Sequence, residues 1–253
     1  MSKPQTDWNA AAYDRLSTPH ERWGKDVLER LELRGTETVL DAGCGSGRVT
    51  EALLGRLGQG RVVAVDASPA MLAVAQQRLA RFGPRVRFLR TDLLALGPRQ
   101  LGGEAPLDAV FSTATFHWIT DHQLLFANLA SVLKAGGQLV AQCGGAGNIE
   151  SVLRALRRLG LERKGVWHYA TVEQTERRLA AAGFTEIKVW TYPEPTPFGN
   201  LETLAEFLET VCLREHIGSL PAGERRTVAR RVAQELEQPL IDYVRLNIVA
   251  RRG

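Results

Sequence analysis

From residue 37 onward, short apolar runs alternate with stretches whose apolar residues recur every three or four positions. Strands separated by helices cannot be joined by tight hairpins, so such a chain builds a largely parallel sheet with helices packed against it. The runs are "TVLD" (38–41), "RVVAVD" (61–66), "VRFLRTD" (86–92), "LDAVFSTA" (107–114), "QLVAQC" (138–143), "EIKVWTY" (186–192) and, at the end, "VRLNIVAR" (244–251). The expected fold is therefore α/β, a mostly parallel seven-stranded sheet with helices on both faces. Ser68 and Pro69 open one helix as cap and first helical residue, Thr171 caps another, and Gly183 closes it. The glycine pair after "DHQLLFANLASVLKAGG" predicts a helix running to residue 137.

Two regions interrupt the alternation. Residues 1–35 read as a helical segment with Trp8, Tyr13 and Trp23, and "YPEPTPFGN" reads as a link to two charged amphipathic helices, "LETLAEFLETVCLREHI" (201–217) and "AGERRTVARRVAQELEQ" (222–238). One domain over 1–253 is expected, with an N-terminal helical lid (1–35), a cofactor-binding core (36–192), a helical cap (193–240) and a last strand (241–253).

The first strand runs into "VLDAGCGSGRVT" (39–50). Glycines between a strand and a helix N-terminus allow positive φ and close backbone approach, which suits a nucleotide-like or anionic ligand. Asp66, ending the second strand, is placed to take ribose hydroxyls of either a dinucleotide or S-adenosylmethionine. Asp41 separates the two: a carboxylate beside the loop repels a pyrophosphate and attracts the ammonium of a methionine moiety. Asp92 after the third strand can accept from an adenine amine while the Leu93 backbone reads the ring edge.

The set "VLDAGCGSGRVT", "VVAVDASPAML", "FLRTDLL", "LDAVFSTATFHWITDH" and "LKAGGQLVAQ", in this order, resembles the class I S-adenosylmethionine-dependent methyltransferases, over roughly residues 8–192 and the last strand. The resemblance implies a Rossmann-like fold, S-adenosylmethionine as cofactor and S-adenosylhomocysteine as product. It also implies that Asp41, Gly43 and Gly45 face the methionine end, Asp66 the ribose, Ala67 and Met71 the adenine, and Asp92 and Leu93 its edge. Tyr13 and Thr113 join the cofactor wall. Gly47 serves helix-on-strand packing and Cys44 is a small filler.

Within the class the chain is similar to the trans-aconitate methyltransferase-like branch, through Trp8 and Tyr13, the pair His117 and Trp118, and Gln142 with "GGAGN". His117, Trp118 and His20 become candidates at the reacting centre, and Trp8, Arg22 and Trp118 candidates for holding an acidic acceptor. For His117 and Trp118 the alternative is aromatic packing at a strand end. "STPHERWG" and "GGAGN" depart from the branch where substrate should sit, so trans-aconitate itself does not follow. His122, His168 and His216 read as surface or structural.

The implied reaction is O-methylation of a small carboxylic acid. Alternatives are a hydroxyl or amine acceptor with a histidine base, a nicotinamide-dependent reductase, and a non-catalytic cofactor-binding protein. A base-clamping "NPPY" tetrapeptide is absent after the fourth strand, and the net charge of +4 is spread along the chain, so no nucleic-acid partner is expected. No metal is expected either. Three scattered cysteines and no apolar leader or membrane-length run suggest a cytoplasmic protein, as monomer or homodimer.

Overall fold

The protein is described here by a computed structural model covering Trp8, Ala10 and residues 18–253, with the side chains of 18–21 left aside. The expected placement of Tyr13 and of the His20 side chain lies outside these residues. In chain order the main elements are α1 (Thr18–Leu28), β1 (Thr38–Ala42), α2 (Arg48–Arg56), β2 (Arg61–Asp66), α3 (Pro69–Leu79), β3 (Val86–Arg90), β4 (Leu107–Thr113), α4 (His122–Val132) and β5 (Leu133–Gly144). There follow α5 (Glu150–Arg158), α6 (Val172–Ala181), β6 (Phe184–Pro197), α7 (Leu201–Phe207), α8 (Ala222–Gln234) and β7 (Leu240–Arg252).

The seven strands form one sheet in the order β3-β2-β1-β4-β5-β7-β6. Strands β1 to β5 pair in parallel, while β7 runs antiparallel between β5 and β6. The order reverses between β1 and β4, and a crevice at the carboxyl ends of these strands is where open α/β sheets take ligands.

Alternation along each strand divides the core between two faces. Leu40, Val63 and Val110 pack with Leu125, Phe126 and Leu129 of α4 and Leu179 of α6. Val39, Val62 and Phe111 pack on the other side with Leu53 and Leu54 of α2, Leu72 of α3 and Val27 of α1. A third cluster joins Trp23, α5, α7 and α8 to Ile241 and Tyr243 at the start of β7. This third core covers the edge where the parallel strands end.

Three expected boundaries move, each for a physical reason. Helix α4 stops at Val132 because Leu133 is already extended and pairs with Leu107. The register then jumps to Ala109 opposite Gln138, so residues 134–137 form a bulge turned by Gly136 at φ 73°. Strand β6 continues through the proline-rich stretch to Pro197, pairing Pro197 with Leu240. It is the edge strand, and Pro193, Pro195 and Pro197 at every second position put their missing N–H groups on the open side. The expected helix over 201–217 is broken: α7 ends at Phe207, a π turn spans Leu208–Cys212, and a short helix covers Arg214–Ile217.

Two glycines, one within α2 and one at its N-cap, separate strain from propensity. Gly55 lies within α2 with open space where a Cβ would stand. Gly47 has φ +80°, and its Cβ would lie 3.1 Å from Ala75 and Leu79 of α3. Gly55→Ala should stabilise the fold by roughly 0.5–1 kcal/mol. Gly47→Ala should cost about 1–3 kcal/mol. Urea denaturation of the two variants checks both signs.

Candidate active site

The loop between β1 and α2 is tied to β2 by the N–H groups of Gly43 and Cys44, both donating to the Val65 carbonyl at 2.8 and 2.9 Å. Gly43, Gly45 and Gly47 all have positive φ but do different work. A Cβ on Gly43 would lie 2.1 Å from Thr115 Oγ1, so this glycine admits the turn after β4. Gly47 admits α3, so its packing is helix on helix rather than the helix on strand expected. A Cβ on Gly45 would meet nothing within 4 Å; its backbone faces open space. Gly45 is the position at which a ligand can approach the loop. Cys44 is buried, and desolvation raises its thiol pKa well above the usual value, which fits a filler and not a nucleophile.

Asp66 ends β2 beside this loop, its Oδ2 accepting from Gly45 N and its Oδ1 from Ser68 N, each at 2.9 Å. These bonds fix the direction of the carboxylate beside Gly45. Ser68 then caps α3 by accepting from Met71 N at 3.1 Å. Ala67 is exposed and the Met71 side chain is buried. Asp92 is exposed and accepts from Leu94 N at 2.9 Å, and the Leu93 side chain is buried.

Asp41 sits behind the loop rather than on its open face. It is 2% exposed and accepts from Thr50 Oγ1 of α2 at 2.6 Å. Burial pushes its carboxyl pKa up to about 7; the Thr50 bond opposes this and the nearby Asp66 adds to it. A cation near Asp41 would restore its ionised form.

The turn after β4 links the loop to a second region. Thr113 is half-buried opposite Gln142, Ala114 takes φ 54°, and Thr115 Oγ1 donates to the carbonyls of Thr113 and Gly43 at 3.0 and 3.2 Å. A left-handed alanine costs on the order of 1–3 kcal/mol and is held by its surroundings. The one-turn helix Phe116–Trp118 follows and carries His117 and Trp118 into the lining of a cavity. Asn148, Tyr169, Tyr243 and Arg245 line the same cavity.

The walls of this cavity are aromatic. His117 stacks on Tyr169 at 6.0 Å between centroids, Tyr169 on Trp167 at 6.0 Å, and Trp118 tilts against Trp167 at 5.9 Å. Gly144 allows the wall to come close, since a Cβ there would lie 2.8 Å from Tyr169 and Asn148. The cavity volume is about 30 Å³, close to one water's share of the liquid. A larger ligand must displace side chains from it. Trp8 meets Trp118 edge-on at 5.7 Å, with the Arg214 guanidinium 4.2 Å over the Trp8 ring.

His117 is 9% exposed and its Nδ1 accepts from Gly144 N at 3.3 Å. The neutral ring therefore carries its proton on Nε2 and is a donor there, with no free ring lone pair. The other described histidines are structural. His122 is buried against the Phe116 carbonyl with its pKa pulled down to about 4 by desolvation, and burial lowers His216 to about 4 as well. His168 meets Arg178 at 2.9 Å. Of the two expected readings, surface or structural, His122 and His216 take the structural one.

Arg245 is the least expected member of the site. Its residue is 2% exposed, its Nε donates to Gln142 Oε1 at 3.2 Å, and its guanidinium lies 4.2 Å over the Trp23 ring. Its Nη2 is buried with no hydrogen-bond partner. Among the described residues, the groups acting on its charge include the Cys143 thiol and the Tyr243 and Tyr169 phenols, which burial holds protonated, and no carboxylate. Stacking on an aromatic ring offsets about 2 kcal/mol, against a cost of several kcal/mol for an uncompensated buried ion. Guanidinium stays charged regardless.

Arg22, the expected partner of an acidic acceptor, is not brought to this cavity. Its side chain is 64% exposed and pairs with Glu194 on β6. The α1 helix faces outward at this position, and a nearby carboxylate already neutralises the charge. The signal for Arg245 was present in "VRLNIV": Arg245 and Asn247 are polar residues two apart in an otherwise apolar strand. No group of three or more His, Cys, Asp or Glu side chains among the described residues could hold a metal ion, and no described helix is long and apolar enough to cross a membrane.

A family profile described as a methyltransferase domain matches residues 39–137. The trans-aconitate 2-methyltransferase of Escherichia coli is 30% identical over 262 residues, covering 98% of this chain and 99% of that protein. Among solved structures, the YcgJ protein of Bacillus subtilis superposes with TM-score 0.66 at 18% identity, covering 92% of this chain and 99% of that one. Phosphoethanolamine N-methyltransferase 2 of Haemonchus contortus, solved with S-adenosylhomocysteine, gives TM-score 0.64 at 20% identity over 96% of this chain and 57% of that one. With the glycine loop, the acids at the ends of β1 and β2, the sheet order and a full-length relative in agreement, the chain belongs to the trans-aconitate methyltransferase-like branch of the class I S-adenosylmethionine-dependent methyltransferases.

Proposed function

We propose that this enzyme methylates a carboxylate oxygen of a small organic acid, leaving a methyl ester and S-adenosylhomocysteine. The observation that carries the choice of acceptor is the bond from Gly144 N to His117 Nδ1. It leaves His117, the one histidine lining the cavity among the described residues, without a lone pair to receive a proton. A hydroxyl or ammonium acceptor must lose a proton, whereas a carboxylate with a pKa near 4 is already ionised at neutral pH. The acid named for the E. coli relative, trans-aconitate, is of this kind.

The residues fit S-adenosylmethionine. Gly45 leaves its backbone open at the loop, Asp66 stands beside it as an acceptor of the kind ribose hydroxyls need, and we assign Ala67, Met71, Asp92 and Leu93 to the adenine. Asp41 lies behind the loop, and an ammonium bound in front of it would restore its charge, whereas the pyrophosphate of a nicotinamide cofactor would be repelled. When bound, the cofactor supplies an electrophilic methyl group on a positively charged sulfur. A carboxylate acceptor would take that methyl group on an oxygen lone pair, with sulfur keeping the electron pair of its bond to methyl. One anion and one cation become two neutral groups, and no proton moves. The contribution of this chain is alignment and exclusion of water by Trp118, Trp167 and Tyr169.

Trp8 and the helices between 201 and 234 roof the cavity as a lid that opens for the acceptor. Cys44, Cys143 and Cys212 are all free and buried, which suits a reducing compartment, and we assign the enzyme to the cytoplasm.

Two expectations follow from the electrostatics of the site. Below pH 7 Asp41 holds a proton that the cofactor's ammonium must displace; above it the carboxylate is already ionised. Affinity for S-adenosylhomocysteine should therefore fall as pH drops below about 7, approaching tenfold per unit, with proton release on binding. Calorimetry in buffers of different ionisation enthalpy measures the release, and Asp41→Asn should abolish it. As for the acceptor, an acid panel should yield a product that releases methanol in mild alkali. His117→Gln should keep turnover within about tenfold of wild type, far less than the 10²–10⁴ attached to a general base.

A further inference from the structure

We infer that Arg245 is the residue that selects the acceptor, anchoring a second, non-reacting carboxylate of a flat polycarboxylic acid. The inference rests on the carboxylic-acid reading above and extends it to which acid. Arg245 is buried, lines the cavity beside His117 and Trp118, and keeps Nη2 unpartnered. A guanidinium presents a planar fork that matches a carboxylate in two parallel bonds, which a single point charge does not. Its Nε is already oriented by Gln142, whose Nε2 in turn donates to Asn247 Oδ1 at 2.9 Å. Stacking over Trp23 fixes the plane of the fork from one side. The group is thus preset in direction, charged, and short of one partner.

The carboxylate gripped by Arg245 is not the one that reacts. Two charge-assisted bonds engage the very lone pairs that would attack the methyl group, and forming an ester would leave the buried cation uncompensated again. The reacting carboxylate must therefore be another group on the same molecule, directed toward the turn at 113–118 that joins this cavity to the glycine loop. Between the two carboxylates the acceptor passes the aromatic wall of Trp118, Trp167 and Tyr169. Flat ring surfaces, of which Trp167 and Tyr169 are nearly parallel at 17°, favour a flat, conjugated chain over a saturated one that must be straightened at an entropic cost.

The test measures binding by calorimetry, with S-adenosylhomocysteine saturating, for fumarate, trans,trans-muconate, adipate and the dimethyl esters of the first two. The wild type should bind fumarate or muconate, bind adipate more weakly than muconate, and fail to bind the diesters. Arg245→Met keeps the apolar stem over Trp23 and removes the charge; it should lose at least tenfold in diacid affinity. Its affinity for S-adenosylhomocysteine should be unchanged. Without ligand its Tm should be no lower than wild type, since the charge it removes is uncompensated, whereas a structural arginine would show a clear drop. Arg245→Lys should recover part of the binding. Equal diacid affinity in wild type and Arg245→Met overturns the proposal, as does wild-type binding of diesters as tight as of diacids. No binding of any diacid by the wild type also overturns it. Should Arg245→Met fail to fold, the ligand series on the wild type still decides.

Product analysis on the wild type keeps this outcome apart from the ester reading. Arg245-dependent diacid binding with an alkali-stable methylated product removes the ester reading and leaves the anchor. Ester formation on diacids undiminished in Arg245→Met removes the anchor and leaves the ester reading.

Discussion

The site depends on the direction of one strand. β7 enters the sheet antiparallel between β5 and β6, so its first half lies at the same edge as the carboxyl ends of β1, β4 and β5. Arg245 faces Gly144 in that register and Asn247 faces Gln142. Residues from the end of the chain thereby meet the turn after β4, and a purely parallel sheet would have carried them to the opposite edge. The helices between β6 and β7 then close over the junction, with Trp23 and Tyr243 meeting edge-on at 5.0 Å inside the third core.

The two halves of the site differ in what holds them. The cofactor half is a backbone construction: two amides on the Val65 carbonyl, two more on Asp66, and glycines where neighbouring elements approach. The acceptor half is built of side chains, with stacked rings around a buried cation and a glutamine–asparagine pair behind it. A strained Ala114 and the hydroxyl of Thr115 join them. Such a division suits one cofactor and a variable acceptor, because rings and charges can change without disturbing the loop.

The backbone half was legible in the sequence. Glycines, strand-ending acids, Ser68 and Thr171 caps and the alternating runs are local signals, and each names its element directly. What a glycine is for was less legible: Gly43 and Gly47 serve neighbours brought in by Thr115, Ala75 and Leu79, and only the fold shows this. The same holds for Asp41, which is turned inward to Thr50 instead of lying on the open face of the loop. The acceptor half is assembled from residues 117, 148, 169 and 245, far apart in sequence, so no spacing betrays it. Arg22 misled because it stands in "STPHERWG", close to where the branch carries a substrate arginine, while its partner in space is Glu194. The prolines of β6 misled for a related reason, since an edge strand tolerates what an inner strand excludes.

A central claim runs through both halves: one acidic acceptor spans from the buried guanidinium to the glycine loop. The most direct measurement is a crystal structure of the ternary complex with S-adenosylhomocysteine and fumarate or muconate. The account predicts one carboxylate in two bonds with Arg245 and the other directed at the cofactor sulfur beside His117 and Trp118. An acid bound elsewhere, or an Arg245 fork filled by a carboxylate of the protein itself, would contradict it.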